Sequence, residues 1–464
     1  MSNATALTLN EQCWCVGTDL PALRSEIDEL LRAQGVAESI LTSHPHLFAG
    51  VPVFIAEEQL SLIREMVSAI YRVVAHPAWQ AAALADALPV AQFTPGNNGA
   101  FLGIDFHLGE HGPQLIEINT NPGGALLNVL LGRAQQACCE PVARSFPDLH
   151  NFDDAEVALL ALFDSEWRTG STQERPLRRI AVLDESPRDQ YLYPEFLLYQ
   201  QALGRRGLPT VIVAPEALSF VGGRLLANGE PVDMVYNRLT DFALRDQRLE
   251  PLRAAYVEGA VVLTPHPRAH ALFANKRNLV WLSDDQYLTA LGIDSATRAL
   301  LRQCVPRTQL VTADQAEYFW AERRSLFFKP LEGYASKGAY RGDKLTRKVF
   351  AEIAAGGYVA QSVVPPSERV IANNDVLADT DVNAADGARA AGSATSAAAM
   401  NPERSAVARV KVAPMKVDVR AYAYAGEVLL LAARLYRGQT TNFRTQGGGF
   451  APVLRAYEGC GCSA

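Results

Sequence analysis

At 464 residues, 48% hydrophobic and 20% charged, the chain is long enough for two or three domains with a large core and has the balance of an ordinary globular protein. A net charge of -7 argues against nucleic acid or an anionic membrane surface as partner. No apolar run reaches membrane-spanning length, and residues 1–11 lack the basic start and apolar stretch of an export signal, so a cytoplasmic protein is expected.

Seven cysteines, an odd count in a large chain, disfavour a disulfide framework. Cys13 and Cys15 near one end and Cys460 and Cys462 near the other could close a zinc site if the ends meet. Their spacing has one intervening residue where two are usual, and reduced thiols are the simpler reading.

Residues 1–100 read as mainly helical, with apolar residues at helical spacing over 23–33 and 57–74. Residues 101–124, FLGIDFHLGEHGPQLIEINTNPGG, then read as a hairpin: runs at 101–108 and 114–119 flank a loop of two glycines and a proline. If Leu108 pairs with Gln114, Asp105 lies across from Glu117. Alternation puts Asp105 and His107 on one face, with Leu115, Glu117 and Asn119, and turns Ile116 and Ile118 into a core. Opposed carboxylates repel, so a cation is expected between them, and an oxygen donor set suits Mg2+ or Mn2+. A helix is expected over 125–143, its first N–H groups free to face an anion.

A charged linker, 166–179, leads to strands at 179–184, 207–214 and 231–236 and a helix at 193–205, the pattern of a small parallel α/β unit. Tyr236-Asn237-Arg238 follows the third strand, where such sheets place ligand contacts. Arg238 there could hold a substrate carboxylate or form a surface ion pair. Further on, Lys276 leads a helix, and Phe327-Phe328-Lys329-Pro330 ends a strand before LEGYASKGAYRG, residues 331–342. Gly333, Gly338 and Gly342 would let backbone N–H groups approach phosphates, with Lys329, Lys337 and Arg341 supplying charge and Ser336 within the loop. It is not a Walker A loop, because Ala339 stands where that motif needs lysine. Residues 357–361 read as a strand ending at Gln361. Residues 372–413 contain no aromatic residue and are expected to form a mobile excursion. Residues 416–424 alternate, placing Lys416, Asp418, Arg420 and Tyr422 on one face, and a turn at 425–427 leads into a return strand, 428–435, carrying Arg434.

Asp105 with Glu117-x-Asn119 and Asn-Pro-Gly-Gly, Lys276 and Lys329, the glycine-rich loop, and Asp418-x-Arg420 with its return strand together resemble the ATP-grasp superfamily, in particular glutathione synthetase-like carboxylate–amine ligases. The resemblance implies an α/β fold with an α+β nucleotide domain at 271–458 and a small α/β pre-ATP-grasp domain at 179–270. Because the metal hairpin precedes these parts, it implies a circular permutation, with the metal-binding piece at 101–150 behind a helical region, 1–100, that has no counterpart. ATP and Mg2+ (or Mn2+) are the implied cofactors. Asp105, Glu117 and Asn119 would hold metal; Lys276, Lys329, Gly333, Ser336, Lys337 and Gly338 would meet the phosphates, Gln361 the adenine hinge and Glu368 the ribose. Arg434 would stabilise an oxyanion with Asn442 supporting the metal or phosphate side, and Arg238, Arg420, Arg437 and Arg444 suggest an anionic substrate. The implied reaction joins a small carboxylate and an amine, such as amino acids or short peptides, through an acylphosphate, releasing ADP and phosphate. An ATP-binding regulator without turnover and a small-metabolite kinase are the alternatives, and homo-oligomerisation is left open.

Overall fold

The structure, a computed structural model, describes residues 3–33, 35, 39–99, 101–109, 111–137, 152–172, 174–333, 338–372, 412–441 and 445–456. Four strands carry the site: β1 (Leu102–Gly109), β2 (Gly112–Asn119), β3 (Val412–Tyr424) and β4 (Glu427–Tyr436). Among the described residues they belong to a seven-stranded sheet that runs Val53–Ile55, Gly449–Arg455, β4, β3, β1, β2, with Ser367–Ala372 also pairing β3. The hairpin from the first quarter of the chain is thus hydrogen-bonded to strands from its end.

Alternation on β3 explains why this sheet has two different faces. Val417, Val419, Ala421 and Ala423 are buried and pack, with Ile104 and Phe106 of β1, against Ile63, Met66, Val67 and Ile70 of helix Glu57–Val74. Asp418 and Arg420 point from the other face, where the site lies. β3 is longer than either neighbour along one edge: Ser367–Ala372 pairs with its first half, Val412 to Val417, and β1 with Val419 to Ala423. The two neighbours part beside Asp418, and a cavity opens at that parting.

The small α/β unit has four parallel strands in the order Val262–Thr264, Met234–Asn237, Ile180–Leu183, Thr210–Val213. A third sheet, antiparallel, runs Thr308–Leu310, Tyr358–Ser362, Leu326–Pro330, Tyr340–Arg341 and forms the opposite wall of the cavity.

Several expectations are corrected. The helix after the hairpin stops at Arg133, and Gln135–Ala137 pairs with Val16–Thr18. The expected linker begins inside helix Phe152–Gly170, where buried Glu166 accepts from Asn97 Nδ2, the N–H groups of Asn98 and Gly99, Thr264 and Tyr424. A helix bearing one inward carboxylate looks in sequence like a charged connector. Residues 1–100 are not only helical, since Val53–Ile55 closes the edge of the main sheet parallel to Gly449–Arg455. Three residues are too few to show a period. Cys13 and Cys304 are buried and Cys15 is half-buried, while Cys460, Cys462 and residues 373–411 lie outside the described residues. No helix among the described residues is long and apolar enough to cross a membrane.

Arg369 ties the N-terminal region to the sheet. Its guanidinium is fully buried and donates to the carbonyls of Asn10, Cys13 and Pro52 at 2.6–2.9 Å. Two of these carbonyls close the C-terminal end of helix Asn3–Gln12, which a cation suits. Arg369→Met should lower unfolding free energy by about 3 kcal/mol, because the carbonyls lose their donors in a water-excluded place; an unchanged urea midpoint would refute this clamp.

Candidate functional site

The cavity measures about 940 Å3 and is lined on the sheet side by Glu117, Asn119, Asp418, Arg420 and Arg434. Asp105 does pair with Glu117, although by a different route from the expected register. From the turn, Gly109 pairs with Gly112, Leu108 with Pro113 and His107 with Gln114, one residue off the expected pairing. A bulge then inserts Ile116, restoring Asp105 opposite Glu117. Ile118 is buried as expected, but the bulge brings Ile116 to the cavity, where its carbonyl accepts from Lys329 Nζ at 2.7 Å.

The cation expected beside Asp105 is present as two arginines. Arg420, directly across from Asp105 on β3, donates Nε to Oδ1 at 2.6 Å and Nη2 to Oδ2 at 2.8 Å. Arg434 Nη2 reaches the same Oδ2 at 2.7 Å and also donates to Asp418 at 2.6 Å, its cross-strand partner. Burial alone would push the Asp105 carboxyl up, but Arg420 and Arg434 outweigh it and hold it at about 2. That pKa is depressed, so the stability this carboxylate contributes is full above the ordinary carboxylate range and is lost as pH falls through about 2. Arg434 is shifted the other way, raised because Asp105 and Asp418 outweigh burial.

The facing wall supplies amines and a carboxamide. Buried Lys329 donates to Gln361 Oε1 as well as to Ile116 O, both at 2.7 Å, and Lys276 Nζ donates to the Gly333 carbonyl at 3.0 Å. Lys276, Lys329, Gly333, Gln361 and Glu368 all line the cavity, as do Ala339 and Arg341 just after Gly338. His107, which sequence reasoning placed on this face without a role, accepts no proton readily because burial lowers it. Its Nδ1–H donates to the Val364 carbonyl at 2.8 Å, bracing residues 363–366 where the two walls meet. Asp418 shares this face, and counting back from the turn at Ala425 and Gly426 places it opposite Arg434. Around the cavity Lys276, Lys329, Arg341, Lys416, Arg420 and Arg434 outnumber Glu117, Glu368 and Asp418, an excess of positive charge in a chain of net charge -7.

Burial lowers Lys329 to about 8, with Glu117 pulling the other way. A lysine depressed in the fold keeps its charge below that value and loses it as pH rises through about 8, while fold stability increases between there and the ordinary lysine range. Affinity for tripolyphosphate without metal should therefore fall about tenfold from pH 7 to pH 9. Lys329→Arg should abolish the dependence; a flat profile in the natural protein would remove Lys329 from the anion site.

Other candidates lie elsewhere. Arg238 is buried outside the cavity, donating to Pro122 O at 3.2 Å and Tyr236 OH at 3.3 Å, so it braces the turn after Asn119. The helix N-terminus behind that turn already has its anion: Glu195 accepts from Gly124 N at 2.8 Å and Leu126 N at 3.2 Å. Gly124 has φ of 96° and would place a Cβ 2.4 Å from the Phe450 ring, so only glycine fits this start. Arg437 is exposed and turns onto the Met415 sulfur. Ser336, Lys337, Asn442 and Arg444 lie outside the described residues.

Among the described residues no three His, Cys, Asp or Glu side chains are grouped to hold a metal. Glu117 and Asn119, on alternate positions of β2, face the cavity together, and Mg2+ commonly takes one or two carboxylates with phosphate and water oxygens completing its shell. The pair fits such an ion; Asp105, engaged by two guanidinium groups, does not.

No protein-family model matches the sequence, and no curated protein does. Solved structures do. A glutathione synthetase-like effector from Globodera pallida in its apo form aligns with TM-score 0.52 and 11% identity over 94% of this chain and 97% of that one. A putative gamma-glutamylcysteine synthetase from Methylobacillus flagellatus aligns with TM-score 0.44 and 12% identity over 89% and 93%. The ATP-grasp ligase PsnB, complexed with a precursor peptide and AMPPNP, aligns with TM-score 0.24 and 18% identity over 43% and 69%. The fold assignment rests on the first of these together with the sheet architecture. This chain shares its overall fold with that glutathione synthetase-like effector.

Proposed function

We propose that the protein is an ATP-dependent ligase that joins a small carboxylate to an amine. The observation that carries this is a single cavity with Lys276 and Lys329 on one wall and Glu117, Asn119, Arg420 and Arg434 on the other. Lys276 and Lys329 would hold phosphate oxygens, Gln361 and residues 363–366 would seat the base, and Glu368 the ribose. Glu117 and Asn119 would hold Mg2+. When bound, ATP would supply the phosphoryl group that converts the carboxylate to an acylphosphate, and the metal the charge that neutralises its phosphates. The chain's own work is positioning: its guanidinium groups are fixed before the substrate arrives, so negative charge developing on the carboxylate meets oriented donors without reorganisation. Pairing of β1 with β3 supports the permuted chain order as part of this proposal.

Incubation with Mg-ATP and pooled amino acids, short peptides and polyamines, followed by mass spectrometry, tests the proposal. A condensed product with ADP and phosphate is expected. A phosphorylated acceptor would make it a kinase, nucleotide bound but never turned over a regulator, and no nucleotide binding would end the reading.

A further inference from the structure

We propose that Asp105 is a positioning residue that holds Arg420 and Arg434 together as one seat for an anionic group, and that it is not a metal ligand. The proposal rests on the nucleotide reading of the cavity only for the identity of that anion.

Four donors already converge on the Asp105 carboxylate: Arg420 Nε and Nη2, Arg434 Nη2, and Asn119 Nδ2 at 3.2 Å. Three of the four meet Oδ2, more than its two lone-pair sites, and Arg420 Nε takes one of the two on Oδ1. A divalent cation placed on the same oxygens would displace them or lie against two guanidinium charges. Burial agrees: Asp105 is 1% exposed and stands behind Glu117, Asn119, Arg420 and Arg434, which do line the cavity.

Sheet register explains the arrangement. Arg420 lies directly across from Asp105, and Arg434 reaches it diagonally from β4 while facing Asp418 on β3. Two guanidinium groups side by side repel unless a carboxylate lies between them, and Asp105 supplies it. The bonds to Asp105 and Asp418 use Nε and Nη2 of each arginine. The Nη1 amino groups are the donors these carboxylates do not occupy. With two carboxylates against two arginines, the cluster is neutral as a unit, so the seat acts through oriented N–H donors more than through net charge.

The test uses the full chain and two probes: tripolyphosphate without metal, by calorimetry, and Mn2+ with ADP, by electron paramagnetic resonance. At pH 6, Asp105→Asn is expected to weaken tripolyphosphate binding about tenfold or more while Mn2+ affinity stays within about threefold, and Glu117→Gln to do the reverse. If Asp105→Asn fails to fold, Asp105→Glu, which keeps the charge but shifts the arginines, carries the same comparison. Loss of Mn2+ binding in an Asp105 variant equal to that of Glu117→Gln overturns the proposal, as does unchanged tripolyphosphate affinity. Tripolyphosphate binding that depends on Asp105, in a protein that takes up no Mn2+ with ADP, supports the arginine seat and sinks the nucleotide reading instead.

Discussion

Replacing Glu117 by glutamine is expected to lower product formation from Mg-ATP by about 10²- to 10³-fold, because a bound metal is worth several kcal/mol of charge stabilisation and each 1.36 kcal/mol is tenfold in rate. Glu117 is the hairpin carboxylate that lines the cavity, its Oε1 accepting from Asn119 Nδ2 at 3.2 Å. Glutamine keeps the shape and the acceptor and removes the charge, so the unfolding midpoint should change little. A second effect has a definite sign. Glu117 is the largest influence holding the Lys329 charge against burial, so its loss should move the pH at which anion affinity falls to a lower value. Steady-state ADP release, with the substrate pair found in the pooled screen, measures the first effect, and rates within threefold of the natural protein would remove Glu117 from the metal site.

Arg434→Gln should cut the turnover number by about 10²- to 10³-fold, the usual effect of losing one oriented donor to a developing oxyanion. It should also cost about 3–5 kcal/mol of stability, since Asp105 and Asp418 are both buried and share this guanidinium. The two effects separate with Arg434→Lys. An ammonium restores charge to the buried carboxylates and should recover part of the urea midpoint. It has no planar fork, so it cannot serve both carboxylates and still present an oriented donor, and the rate should stay low. Full recovery of rate by lysine would show that charge alone is needed and that the fork geometry is irrelevant.

Much of this site is legible because a strand alternates. The hairpin 102–119, the shared face of Asp418 and Arg420, and the return strand with Arg434 all follow from a period of two and a turn signal. Lys276, Lys329, Gln361 and Glu368 were found through their resemblance to a family pattern, and the structure brings them to one cavity. Arg238 directly follows the strand Met234–Asn237, but nothing in Tyr-Asn-Arg says that the guanidinium would be buried under the turn at Pro122. The anion for the helix starting at Ala125 was likewise invisible, because Glu195 lies on another helix.

Local pattern by itself determined which side chains share a face and that opposed carboxylates at 105 and 117 need a cation. Only the tertiary structure decided which cation meets Asp105. In sequence a carboxylate above an Asn and a Glu reads the same whether a metal or an arginine answers it. The answer depends on β3, more than 300 residues away, arriving in a register that sets Arg420 across from Asp105, and on a one-residue bulge at Ile116 that no periodicity announces. Register between distant strands is fixed by packing of their apolar faces, here against helix Glu57–Val74, and packing is a property of the whole fold.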